Sequence, residues 1–169
     1  MNTRNDVEVN TTGATPNKNR ALEQASREKN ENQWPLQIQV VAVEKQVGRW
    51  TTTQRELNGF GLTNVDLNSP HGLLELHRDE RTDYRFNLSS NSPMIFVVFD
   101  NNDESDVTPI VVTASQGVAG SFMDGDYLVL SHAMPLAIQA WMEAFIGRHG
   151  ELLEVRRKKR KGAGRSSEK

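Results

Sequence analysis

Six apolar residues in unbroken succession, Met94 to Phe99 (MIFVVF), lie between the turn-forming SSNSP and the acidic DNNDESD. A run this short, bounded by turn signals, reads as a strand, and apolar side chains at both parities leave neither face for water. It is the mark of a central strand, so the chain must build a sheet around it. Further strands follow from alternation. Leu36, Ile38, Val40 and Ala42 alternate with Gln37, Gln39, Val41 and Val43, a strand half-buried early and more fully buried later. Val47 to Thr53 is rich in β-branched residues around Trp50 and reads as a second strand. Leu57 to Pro70, with Gly59, Gly61, Asn64 and Asn68, reads as a turn-rich surface excursion. Ile110–Thr113 and Tyr127–Leu130 read as two more strands.

The segment before the central strand is the most charged of the ordered part. Leu74, Leu76 and Arg78 share one parity, and Tyr84, Phe86 and Leu88 another, so Leu73–Arg78 and Tyr84–Leu88 are expected to form a hairpin with Asp79–Asp83 at its tip. Two helices are expected. Ser115 can cap a short one running to Phe122. MPLAIQAWMEAFIGRHG carries a long one, with Pro135 at its start, Ile138, Trp141, Met142, Phe145 and Ile146 in one stripe, and Gly147 or Gly150 at its end. Hairpin-length connections favour antiparallel pairing, since parallel neighbours need long crossovers. The expected fold is α+β: a mainly antiparallel sheet or small curled barrel, a short helix, and a long C-terminal helix packed across it. Residues 34–154 are expected to form the folded domain, 1–33 a disordered extension, and 155–169 a disordered basic tail.

Composition narrows the chemistry. The 169 residues include no cysteine, which excludes disulfides, thiolate catalysis and sulfur-held metal. Metal would have to come from His71, His77, His132, His149 and carboxylates, and no two of these histidines have the spacing of a ligand pair on one helix. The first thirty residues lack an apolar signal core, and no run reaches the ~18 apolar residues of a membrane span. The expected compartment is the cytoplasm. The net charge of −2 conceals an asymmetry: Val155–Lys169 carries eight bases and one acid, so the acid excess lies in the body.

His77 beside Asp79 and Tyr84 could serve as an acid–base group, because imidazole titrates near neutrality and a carboxylate fixes its tautomer. No nucleophile or substrate handle accompanies them, and ion pairs around a hairpin account for every residue. Ser115 in VTASQG lacks the glycines of a nucleophile elbow, and a helix cap explains it. Gly48, Gly59, Gly61, Gly117 and Gly120 form no phosphate-binding pattern. Trp141, Met142 and Phe145 read as core. Arg156, Arg157, Lys158, Lys159, Arg160 and Lys161 form a block suited to nucleic acid or to an acidic protein surface. The acidic body disfavours a polyanion, and no aromatic is interleaved in the block to stack on bases.

LELHRDERTDYRFNLSS, PMIFVVF, VTAS, MP followed by W...F..RH, and the closing basic run occur in that order. Together they resemble an uncharacterised bacterial family of unknown-function proteins encoded beside molybdenum-dependent formate dehydrogenases. The resemblance spans roughly Leu36 to Lys161. Only Trp50 stands where that family often has two tryptophans. The resemblance implies an accessory role in assembly, maturation or regulation of such an enzyme, without catalysis or cofactor. The expected partner contacts are His77, Arg78, Asp79, Tyr84 and Arg85, with Arg156 to Lys161 of the tail. The alternative is a nucleic-acid-binding protein acting through that tail.

Overall fold

The computed structural model describes residues 28–101, 105–123 and 125–152. The chain begins with a long strand, β1 (Gln33–Val47), which turns through Gly48 and Arg49 into β2 (Trp50–Gly61). Gly48 has φ +63°, and the pair Val47 and Trp50 closes the two-residue turn. A loop leads to β3 (His71–Glu75), then a single 3-10 turn (Arg78–Glu80), α1 (Arg81–Leu88) and β4 (Met94–Asp100). β5 (Pro109–Thr113), α2 (Gln116–Gly120), β6 (Tyr127–Ala133) and α3 (Leu136–His149) complete the order.

The six strands of the described residues form one sheet in the order β2-β1-β3-β5-β4-β6. Its two ends curl together where the Phe60 ring of β2 meets His132 of β6 edge-on, 5.9 Å apart, giving a nearly closed barrel. The fold class is the expected α+β. β4 lies between β5 and β6, with Ile95, Val97, Val98 and Phe99 fully buried, as its unbroken apolar run requires.

Three expectations are corrected. First, Tyr84–Leu88 is not the second limb of a hairpin but the end of a helix. Alternation would put Phe86 beside Tyr84, yet Tyr84 is fully buried and Phe86 is 66% exposed. Tyr84, Asn87 and Leu88 instead face inward at helical spacing. Second, β2 continues through Leu57 to Gly61, where a surface excursion was expected. The register skips between Gln39 and Val40, leaving Asn58 as a bulge, and Gly59 takes φ +147° beside it. The glycines that suggest a turn in sequence are here a strand irregularity. Third, β3 and β5 pair in parallel at Leu74 and Val112, because a turn, α1 and β4 intervene and supply the crossover. A Cβ on Gly72 would lie 2.5 Å from Val112 Cγ2, so glycine is what lets these strands approach.

α3 matches its expected stripe: Ile138, Trp141, Met142, Phe145 and Ile146 are buried, and Gly150 at φ +78° ends the helix. They pack on Leu36, Ile38, Leu74, Ile95, Val97 and Phe99. Burying each such side chain contributes roughly 1.5–3 kcal/mol. Trp34 and Trp141 meet edge-to-face at 5.5 Å. The backbone ahead of Trp34 is engaged as well: Asn30 O accepts from Trp141 Nε1 (2.9 Å), and Asn32 O from Leu76 N (2.8 Å).

Candidate partner-binding surface

β3 ends as its chain leaves the sheet, and the next residues are shaped by one buried phenol. The Tyr84 hydroxyl accepts from His77 N (2.9 Å) and donates to Glu80 Oε2 (2.7 Å). Burial pushes its pKa well above the ordinary phenol value, so it remains a donor to the carboxylate. One helical turn on, Asn87 is buried and all its polar capacity on one side is used. Its Nδ2 donates to Met94 O and Ala114 O (both 2.8 Å), and its Oδ1 accepts from Met94 N (2.9 Å). α1 is thereby fixed to β4 and to the end of β5.

The opposite flank of α1 holds the end of α3. Arg81 Nε donates to Arg78 O (2.6 Å), while its terminal nitrogen donates to His149 O and to Gly150 O (2.7 Å). A guanidinium there satisfies carbonyls that a helix C-terminus leaves without partners. Thr82 Oγ1 donates to Leu152 O (3.1 Å). Arg85 bridges Glu143 (2.8 Å) and Glu151 (2.7 Å), and these bonds hold its pKa above even the usual guanidinium value. Partial burial, then the Arg78, Arg148 and Arg81 cations, lower the pKa of His149 below that of ordinary imidazole.

The expected contact residues therefore divide. His77, Arg78 and Asp79 are exposed in succession, His77 just ahead of the 3-10 turn and the other two on it. Tyr84 is enclosed, with its hydroxyl bonded to His77 N and Glu80, and Arg85 is half-buried and bridges Glu143 and Glu151. Arg156, Arg157, Lys158, Lys159, Arg160 and Lys161 lie outside the described residues. Arg81, Asp83 and Asn87 were missed as organising residues. Their signal was the helical spacing of Glu80 with Tyr84 and of Arg81 with Arg85, obscured by an equally good period-2 pattern. Ser115 is the expected cap of α2: its buried Oγ accepts from Val118 N (3.1 Å) and donates to Asp83 Oδ2 (2.5 Å).

Beside the turn runs a groove of about 220 Å³ between β3 and β5, with Leu73, Glu75, His77, Glu80, Ile110 and Val118 on its walls. His77, Glu75 and Glu80 bring polar side chains to its walls. Among the described residues no three His, Asp or Glu side chains are placed to hold a metal ion, and no helix is long and apolar enough to cross a membrane.

No curated protein and no solved structure matches the chain. A family model described as "Protein of unknown function (DUF3305)" matches residues 22–160, which takes in every element of the fold. The chain belongs to the DUF3305 family of proteins of unknown function.

Proposed function

We propose that this protein is a non-catalytic accessory factor that binds a molybdenum-dependent formate dehydrogenase during its assembly, maturation or regulation. The enzyme enters through the resemblance of the charged segment, the central strand and the C-terminal helix to proteins encoded beside such enzymes. One structural observation carries the mode of action. The bonds from Arg81, Thr82 and Arg85 to Gly150, Leu152 and Glu151 hold the end of the described chain against α1. The basic run starts at Arg156, four residues beyond Leu152, a span of at most about 14 Å. The exposed 77–79 segment lies beside the end of the described chain, from which the basic run continues in sequence, and this supports a composite docking surface for an acidic protein. Exposed Phe86 on α1 adds an apolar contact to that side.

Affinity capture with the full chain from cells growing on formate tests this. Enzyme subunits are expected with the natural chain and are expected to be lost both on deleting 155–169 and on the double substitution Arg78→Ala with Asp79→Ala. Arg85 is left in place because it ties α1 to α3. Capture of nucleic acid that needs the tail and ignores the turn would replace the proposal with a nucleic-acid-binding role.

A further inference from the structure

The outer half of the β1–β2 hairpin lacks the support that the rest of the sheet enjoys. β3 pairs with β1 only from Gln33 to Gln37, and the Ile38 amide is taken by Pro70 O (2.8 Å). Beyond that point no strand among the described residues pairs with the outer edge of Gln39–Val47, and every residue from Glu44 to Gln54 is exposed. A two-stranded ribbon in water is marginal by itself, and an open edge invites another strand. The ribbon is also not polar all round. Cross-strand pairing places Val41 and Glu56, Val43 and Gln54, and Val47 and Trp50 on one face. Val41, Val47 and Trp50 are 37%, 63% and 79% exposed there.

We infer that Gln39–Val47 of β1 pairs antiparallel with the same edge of a second copy, joining two hairpins into a four-stranded sheet. A two-fold axis normal to the sheet keeps residues of one parity on one face, so pairing the whole edge with itself centres on Val43. In that register Glu44 lies opposite Ala42 and Lys45 opposite Val41, and no like charges meet. Centring on Glu44 or Lys45 would set two carboxylates or two ammonium groups face to face. Lys45 is already paired with Glu56 of its own hairpin (2.5 Å), so it brings no uncompensated charge to the junction. The same axis brings the Val41, Val43, Val47 and Trp50 side chains of both copies onto one face, alongside each copy's Lys45–Glu56 pair. The outer edge of β2 is less open: Arg55 on it donates to Asp100 O (3.2 Å) and Asp106 O (3.0 Å), bringing the β4–β5 loop alongside. This inference is independent of the accessory role, and neither its success nor its failure alters that reading.

Analytical ultracentrifugation of the full chain over a concentration series is expected to show a monomer–dimer equilibrium. Val43→Glu and Val43→Lys each place like charges on the axis and should each sediment as monomer, with thermal unfolding still cooperative, while an equimolar mixture should regain the dimer. The chain has no cysteine, so Val43→Cys supplies a single thiol that should form an intermolecular disulfide on mild oxidation. Thr53→Cys, on β2 opposite Glu44, should not. A natural chain that stays monomeric at every concentration would overturn the inference and leave the hairpin to a different protein. Cross-linking through Thr53→Cys instead of Val43→Cys would overturn it in favour of the other edge.

Discussion

Asn87 shows what a single buried polar residue does when all its bonds are made. Its carboxamide serves Met94 N, Met94 O and Ala114 O at once, so Asn87→Leu strips partners from three backbone groups. Each such buried group left unmet costs about 1–3 kcal/mol, and denaturant unfolding should register a loss of at least ~3 kcal/mol. Tyr84→Phe removes less. The ring stays in place against Phe145, but His77 N and Glu80 lose the hydroxyl between them. A loss of ~1–3 kcal/mol is expected by the same measurement. His149 gives the protein a pH signature with a definite sign. Its partial burial and the facing Arg78, Arg148 and Arg81 cations depress its pKa, against a weaker opposing pull from Glu31. The unfolded chain therefore takes up a proton at higher pH than the folded one, and stability falls as pH drops through the ordinary imidazole range near 6.5. Melting curves between neutral and mildly acidic pH should show that fall, and His149→Gln should flatten it.

At the scale of elements, the long helix was legible and α1 was not. α3 offers fourteen residues over which a 3.6-residue stripe is unmistakable, with a glycine at its close. α1 has only eight residues, too few for its period to prevail over alternation. What decides its form is Asn87 reaching β4 and β5, and Arg81 reaching α3, contacts between residues remote in sequence. β2 reads too short in sequence for a related reason. Gly59 and Gly61 suggest a turn locally, and only pairing with β1 reveals a bulged strand. The packing of α3 on the barrel is testable through Trp141, which meets Trp34 edge-to-face and donates to Asn30 O. Trp141→Ala should destabilise by ~3–5 kcal/mol, as large aromatic deletions in cores do. An unchanged melting temperature would show the stripe to be a surface.

For the whole molecule, the residues ahead of Trp34 act as a clasp over α3. Asn30 and Asn32 accept from Trp141 and Leu76, and Arg148 donates to Glu31 O (2.8 Å). A fragment of residues 34–152 should therefore fold, yet unfold at lower denaturant than a fragment of residues 28–152, by about 1–3 kcal/mol. Equal midpoints would show the clasp to be idle. Sequence alone determined the α+β class, the central placement of Met94–Phe99, the apolar stripe of α3 and the cap at Ser115. Each of these is a local property, carried by neighbouring residues and by solvent exclusion along one element. Tertiary structure alone decided that β3 and β5 run parallel, that Tyr84 and Arg85 serve the fold's interior and its helix clamp, and that His77, Arg78 and Asp79 remain outside. Those outcomes rest on hydrogen bonds and packing between segments dozens of residues apart. No periodicity within one segment encodes which distant partner will satisfy its polar groups.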